Sequence, residues 1–305
     1  MKNAERINNF LMSSKGEIPN NGMVAIVLGN EAADLDSMVS AILYGYLLSS
    51  GANTEVIIPV INIPRNDYKL RTEAVYLFQE AGIDTKAMTF IDEIDIDKLK
   101  EGNRLRLVLV DHNQISSRQE ALNVSVTEII DHHADEKSYS STTHVEIEPV
   151  GSAATLVTGR FLSAKADLLE GSAGTLLLGT ILLDTVNLDE SAGRVTAKDL
   201  EAAKQLLELS GKDQRELFDR LQYEKFNVSA LESYDLLRKD YKEWKLGDVS
   251  CGIGSVLMPA EEWLKKDAKI FSAFETYVKE RKLDVLIAMN AYTDPEFSRD
   301  LGVYV

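Results

Sequence analysis

The 305 residues are 45% hydrophobic and 27% charged, with a formal net charge of −16. That describes a globular chain long enough for two domains, and it argues against a general nucleic-acid or anionic-membrane binder, since either would need a basic face. Cys251 is the only cysteine, so no internal disulfide can form, and a reducing compartment is expected. The apolar stretch Leu176 to Leu183 is too short for a membrane span and is broken by Gly179 and Thr180. The N-terminus shows no signal-peptide core, and the default expectation is a cytoplasmic protein without a membrane partner.

In chain order, Met23 to Leu28 is a solid apolar run, as expected of a strand buried on both faces of a parallel sheet. It ends in Gly29-Asn30-Glu31-Ala-Ala-Asp34-Leu-Asp36-Ser37. Then Met38, Val39, Ala41, Ile42, Leu43, Tyr46 and Leu47 recur at helical spacing until Gly51. A helix N-cap accounts for one polar residue of that loop, but not for Asp34 and Asp36 together. Glu55 to Val60 reads as a second strand, and Tyr68 to Ala81 as a helix closed by Gly82. Leu105 to Val110 is the next strand and ends in Asp111-His112-Asn113. Val124 to Ile130 follows and delivers Asp131-His132-His133 to a strand tip, where open α/β sheets build ligand sites. The four histidines of the chain, His112, His132, His133 and His144, all lie in this segment.

Thr142 to Val150 reads as a further strand. Gly151-Ser152-Ala153-Ala154-Thr155 opens a helix whose small residues either leave backbone N–H groups for an anion or allow close helix packing. Thr175 to Leu183 is a helix apolar almost all round, and therefore buried. It ends in Asp184-Thr185, and a carboxylate placed there needs a partner, because burying an unpaired charge is costly. A metal is the obvious one. Past Leu188, the segments Val195 to Ser210, Arg215 to Tyr223 and Ser229 to Trp244 read as amphipathic helices. Val249 to Met258 and Leu283 to Tyr292 read as strands, and Ala268 to Glu280 as a helix. The expected fold is α/β: an N-terminal domain over 1–192 with a mainly parallel sheet flanked by helices, a linker near 193–211, and a smaller α+β C-terminal domain over 212–305.

Asn30, Asp34, Asp36, Asp111, His112, His132, His133 and Asp184 are thus the candidate site. Their carboxylates and imidazoles are too many for one catalytic ion that must keep an open position. They suit two divalent ions about 3.5–4 Å apart, bridged by one carboxylate. The chain has no Gly-x-Ser-x-Gly elbow and no Gly-x-x-x-x-Gly-Lys-Ser/Thr phosphate loop, which disfavours a serine hydrolase and a nucleotide kinase.

The segments Gly29 to Ser37, Val110-Asp111-His112-Asn113, Asp131-His132-His133 and Leu183-Asp184-Thr185 resemble, in order, the motifs of the DHH phosphoesterase superfamily. Tyr223-Glu-Lys225-Phe-Asn through Asp235-Leu-Leu-Arg238-Lys239-Asp240-Tyr241 is similar to the start of a DHHA2-type domain. That domain marks the branch holding family II inorganic pyrophosphatases, eukaryotic cytosolic exopolyphosphatases and prune-like proteins. The resemblance implies that Asp34 binds a first metal and Asp36 a second, and that Asp111 bridges both. His132 and Asp184 would complete the second metal site, and His133 would contact a substrate phosphate beside His112. Lys225, with Arg238 and Lys239, would reach phosphate oxygens across an interdomain cleft; a solvated helix face is the bland alternative for Arg238 and Lys239.

Family II pyrophosphatases place a histidine where this chain has Asn30, and exopolyphosphatases of the branch have Asn there. As a ligand, Asn30 would harden the first metal site toward Mg²⁺, with Mn²⁺ or Co²⁺ also accepted. The intact His133 argues against prune-like proteins. The late Ser-Arg-Lys-Lys motif of pyrophosphatases has only Ser298-Arg299 as a poor counterpart, so the C-terminal part of the substrate site is expected to be absent or built differently. The resulting expectation is an exopolyphosphatase that releases orthophosphate from linear polyphosphate. An inorganic pyrophosphatase and a catalytically silent scaffold of the same fold are the alternatives. A nucleic-acid exonuclease is disfavoured by charge, and nothing in the chain specifies an oligomeric state.

Overall fold

The structure, a computed structural model, describes residues 4–16, 18, 21–51, 54–139, 144–292 and 296–305. These residues form two compact units, one of residues up to 68 with 73–223 and the other of 69–72 with 224–305.

Along the first part of the chain run α1 (Ala4–Ser14), β1 (Val24–Leu28), α2 (Leu35–Ser49), β2 (Val56–Ile61), α3 (Thr72–Glu80), β3 (Thr89–Phe90), α4 (Ile96–Glu101) and β4 (Leu105–Val110). Then come β5 (Val126–Asp131), β6 (His144–Ile147), α5 (Ala153–Ala164), α6 (Ser172–Asp184), α7 (Ala197–Ser210) and α8 (Gln214–Phe226). Thr142, from which a strand was expected, lies outside the described residues. Among the described residues the strands make one parallel sheet in the order β3-β2-β1-β4-β5-β6. The order reverses between β1 and β4, which opens a crevice beyond their C-terminal ends. Alternate residues of β1 enter different cores. Ala25 and Val27 join Ile42 of α2, Val157 of α5 and Ile181 of α6. Val24, Ile26 and Leu28 join Ile96 and Leu99 of α4. Burial of both faces is why the strand reads as an unbroken apolar run rather than an alternating one.

The linker expected near 193–211 is instead part of the first unit. On α7, Ala203 and Leu206 are fully buried in the core that holds Leu176 and Leu177 of α6. The solvent-facing Lys and Glu residues of this helix disguised its buried stripe. Its N-terminus is a capping box, with Thr196 as the cap and Asp199 returning the bond. Asp199, itself fully buried, accepts from Gly151 N (2.9 Å to Oδ2), Thr155 Oγ1 (2.5 Å), Thr196 N (2.7 Å) and Thr196 Oγ1 (2.7 Å). One carboxylate therefore ties the start of α7 to the start of α5.

The second unit contains α9 (Ser233–Lys239), β7 (Tyr241–Leu246), β8 (Val249–Val256), α10 (Ala260–Lys266), α11 (Ile270–Arg281), β9 (Val285–Tyr292) and β10 (Ser298–Tyr304). Its sheet, ordered β10-β9-β8-β7 among the described residues, is mixed, because only β8 and β9 run parallel. Leu236, Leu237, Trp263, Phe274 and Leu286 form its core. The helix expected over Ser229 to Trp244 is a correction: α9 stops at Lys239 and the chain turns into β7. Gly247, at φ 65°, and Asp248 join β7 to β8, and a Gly-Asp pair between two strand-like runs is a hairpin signal. Among the described residues no helix is long and apolar enough to cross a membrane.

Replacing Asp199 by Ala would leave the Gly151 and Thr196 N–H groups and two threonine hydroxyls without their acceptor. Urea denaturation of Asp199→Ala is expected to show a loss of about 2–4 kcal/mol. A loss below about 0.5 kcal/mol would mean that water replaces the carboxylate without penalty.

Candidate functional site

Asp34, Asp36, Asp111, His132, His133 and Asp184 line one cleft of about 440 Å³ in the first unit. They arrive there from different elements, and each is held by local chemistry. Leaving β1, the chain closes tightly onto α2: a Cβ on Gly29 would lie 2.9 Å from the Ser37 carbonyl oxygen, so glycine is required. Asp34 caps α2, accepting from Ser37 N at 3.1 Å. Asp36 is buried and accepts from Ala153 N (2.6 Å), Ala154 N (2.8 Å) and Ser40 Oγ (3.0 Å). The anion awaited at the start of α5 is thus a carboxylate of the protein itself, seated on a helix N-terminus. Burial, opposed by the nearby His132, keeps the Asp36 carboxyl above its ordinary pKa.

Asp111 follows β4 in a left-handed conformation, φ 61°, which few non-glycine residues adopt. Its N–H bonds Ile130 O at 2.9 Å. Asn30 Nδ2 donates to the Asp111 backbone oxygen (3.0 Å) and to Oδ2 (2.7 Å), while Asn30 Oδ1 accepts from Ala32 N and Ala33 N, both at 3.0 Å. In this arrangement the Asn30 amide is engaged with Asp111 and its own loop, and a ligand role for it stays a proposal. Its one ligating atom serves the loop, and turning the amide over would set carbonyl against carboxylate. Asn30 holds Asp111 rather than lining the cleft. Burial, then the charges of Asp36 and Asp34, push the Asp111 carboxyl well above the usual carboxylate range.

His132 Nδ1 lies 3.0 Å from Val150 O, and a carbonyl can only accept, so that nitrogen carries the proton. In the neutral ring Nε2 then presents a lone pair, 3.2 Å from Asp111 Oδ1 and 3.6 Å from Asp36 Oδ2. A lone pair facing two carboxylates is stable only with a cation or a proton among them. Ligand atoms of Asp111, His132 and His133 lie within 4.8 Å of one another. His133 is half-exposed, and its Nδ1 bonds Asp131 Oδ1 at 2.8 Å; that bond raises the imidazole pKa. Burial alone would raise the Asp131 carboxyl, but the bonds from His133 and from Asn113 Nδ2 (2.5 Å) outweigh it and hold it low.

Asp184 differs from the rest. Its Oδ2 is sealed from solvent and has no hydrogen-bond partner among the described residues. Burial first, then Asp36 and Asp34, push its carboxyl well above the ordinary range. The chain leaves it through Val186, Asn187 and Leu188 at φ 52°, 61° and 63°. Three successive left-handed residues cost about 1–2 kcal/mol each, a strain set directly beside the site.

His112 does not line the cleft. Its Nδ1 lies 2.9 Å from Val110 O, which ties the ring to the strand end, and burial lowers its pKa. Lys225, Arg238 and Lys239 belong to the second unit. Lys225 is exposed. Arg238 lies 3.5 Å from Asp235 and over the Tyr234 ring. Lys239 Nζ donates to Leu70 O at 2.6 Å, so both residues have work within their own unit. Unforeseen from sequence were the props Asn113, Asp131 and Asp199, and Arg194, which lines the cleft. The Thr196-x-x-Asp199 spacing was a readable capping signal; Arg194 had none.

The DHH family, N-terminal domain, matches residues 24–180, and the DHHA2 domain matches residues 219–305. A mouse (Mus musculus) protein named exopolyphosphatase PRUNE1 is 35% identical over 300 residues, 97% of this chain, and the chain spans 66% of that relative's length. A manganese-dependent inorganic pyrophosphatase of Methanothrix thermoacetophila is 23% identical over 86% of this chain and 79% of its own. The crystal structure of a candidate family II inorganic pyrophosphatase from Methanococcus jannaschii matches with a TM-score of 0.58 at 23% identity, covering 92% of this chain and 87% of that one. It supports the two-part fold.

The burial of the Asp184 carboxyl, with Oδ2 unpartnered among the described residues, has a consequence for the metal-free protein. Its folded carboxyl lies above the unfolded value of about 3.9, so the folded state binds more protons in that window and stability falls as pH rises through it. In EDTA at neutral pH, Asp184→Asn is expected to stabilise the protein by about 1 kcal/mol or more, read by urea denaturation. Equal or lower stability would show that the carboxylate is compensated after all.

Proposed function

The chain belongs to the DHH family, and from that premise we propose that it is an exopolyphosphatase, hydrolysing the terminal phosphoanhydride bond of linear polyphosphate. The observation that carries this reading is the convergence of Asp34, Asp36, Asp111 and Asp184 with His132 on one cleft, Asp184 Oδ2 lacking any partner among the described residues. That donor set fits two divalent ions, whose charge would offset the four carboxylates. Oxygen donors outnumber the imidazole, which favours Mg²⁺ while leaving room for Mn²⁺ or Co²⁺. Asp34 would serve the first ion, Asp36, His132 and Asp184 the second, and Asp111 both. Bound there, the ions supply a water of lowered pKa and neutralise phosphoryl oxygens.

The protein's own groups do the positioning. Asn30 and the left-handed backbone fix Asp111, and Val150 fixes the tautomer of His132. His133, with one ring proton engaged by Asp131, keeps Nε2–H for a phosphate oxygen, and its raised pKa favours that cationic form. Little covalent help is needed, because phosphoryl transfer rests on placement and charge. Lys225 is retained as the second unit's proposed phosphate contact. The name of the mouse relative supports polyphosphate, and that of the archaeal one supports the same chemistry on pyrophosphate. The net charge of −16 disfavours nucleic acid as the polyanion, and a cytoplasmic protein remains the expectation.

Phosphate release from pyrophosphate, tripolyphosphate and long-chain polyphosphate, with Mg²⁺ and Mn²⁺ compared, tests the reading. Metal-dependent release from the longer chains, with pyrophosphate a poor substrate, is expected. Fast pyrophosphate turnover with Mn²⁺ alone would make it a pyrophosphatase, and no release from any chain would make it a silent scaffold. Asp111→Asn should lower turnover by more than about a hundredfold at saturating metal, and activity within tenfold of the parent would remove Asp111 from the centre of the site. Asn30→His should raise the Mn²⁺/Mg²⁺ activity ratio by placing a softer donor beside Asp111; an unchanged ratio would mean that position 30 does not tune the metals.

A further inference from the structure

Arg194 is the one lysine or arginine lining the cleft among the described residues, where Asp34, Asp36, Asp111 and Asp184 supply the opposite charge. Its side chain is exposed, and no hydrogen bond or ion pair among the described residues engages it. Three other cations of the unit are occupied: Lys198 pairs with Glu148, Arg160 with Glu146 and Lys212 with Glu80. An arginine meant to neutralise the carboxylates would be paired with them.

The segment that carries Arg194 is nonetheless built into the site. Gly193, left-handed at φ 68°, ends the turn Glu190–Ala192, and Thr196 caps α7. Asp199 accepts from both Thr196 N (2.7 Å) and Gly151 N (2.9 Å). A Cβ on Gly151 would lie 2.7 Å from the Arg194 carbonyl oxygen, so the two backbones touch. Gly151 precedes Ser152, the cap of α5, and the next two N–H groups, of Ala153 and Ala154, hold Asp36. The backbone of Arg194 is thereby registered to a proposed metal ligand while its head group is left free.

We propose that Arg194 is a substrate-binding residue, its guanidinium taking oxygens of the phosphate group that enters the carboxylate cleft. This rests on the reading above that a condensed phosphate is the ligand. The planar fork matches two phosphate oxygens at once and stays charged at any working pH. Because Arg194 and the carboxylates line the same cleft, its contact is with the reacting end of the chain, and its contribution does not depend on how many phosphates trail behind.

The test uses inorganic phosphate titrated calorimetrically into the full chain with saturating Mg²⁺, together with KM for pyrophosphate, tripolyphosphate and long polyphosphate. Arg194→Ala is expected to weaken phosphate binding about tenfold or more and to raise KM by a similar factor at every length, with kcat changing less. Arg194→Lys should recover part of the loss. Lys198→Ala, which removes the same charge four positions on, should leave phosphate binding and KM unchanged. Melting followed by circular dichroism should coincide for the parent and the Arg194 variants, since Arg194 has no partner to lose. A loss in Arg194→Ala of less than about threefold, or an equal loss in Lys198→Ala, would overturn the proposal, as would a parent that binds no phosphate. If the parent binds phosphate through Arg194 but hydrolyses no polyphosphate, the exopolyphosphatase reading fails and the clamp stands.

Discussion

Everything at the site answers to the repulsion among four carboxylates, Asp34, Asp36, Asp111 and Asp184, gathered in one cleft. Burial first, and then the like charges of their neighbours, raise the carboxyls of Asp36, Asp111 and Asp184. Relief is unequal. Asp36 rests on two backbone N–H groups at the start of α5. Asp111 has one amide donor from Asn30, and Asp184 Oδ2 has none among the described residues. The least relieved carboxylate is the one followed by three left-handed residues. A chain selected only for stability would keep neither feature, and the unpartnered carboxylate points to a ligand that supplies positive charge.

The sheet order makes the gathering feasible. With β1 and β4 adjacent at the reversal, the loops after them diverge to opposite faces and leave space at the strand ends. Asp34 and Asp36 come from one loop, Asp111 from the other, and His132 from the strand beside it. Helix α6 contributes from within the core: buried throughout the span from Ser172 to Leu183, it brings Asp184 up from below. The second anchoring line runs through Asp199, which joins the starts of α5 and α7 and so couples Asp36 to the segment bearing Arg194.

Much of this was legible in the residues. Strands β1 and β4 announced themselves because burial on both faces leaves almost no polar positions, Arg106 alone breaking the apolar run of β4, and the polar tips after them stood out by contrast. Helix α7 was assigned to a linker because its exposed charges outnumber its few core contacts, and Ala203 is an inconspicuous core residue. The end of α9 was overrun because Tyr241 to Leu246 alternates in a way that a helix period can also fit. Within the site, the carboxylates and the histidine pair were readable, since charged groups following apolar runs require an explanation. The direction of Asn30 was not. Whether an amide faces an ion or a neighbouring carboxylate depends on the φ of Asp111 and the loop geometry, which no spacing encodes. Arg194 was invisible for a related reason: its place follows from the folding of α7 back onto α5.

Anomalous diffraction from crystals of the chain grown with Mn²⁺ bears most directly on the central claim, that the carboxylate cluster exists to hold two metal ions. Two peaks are expected, both within ligand distance of Asp111 and one of them meeting Asp184 Oδ2. A single peak, or peaks that do not share Asp111, would contradict it.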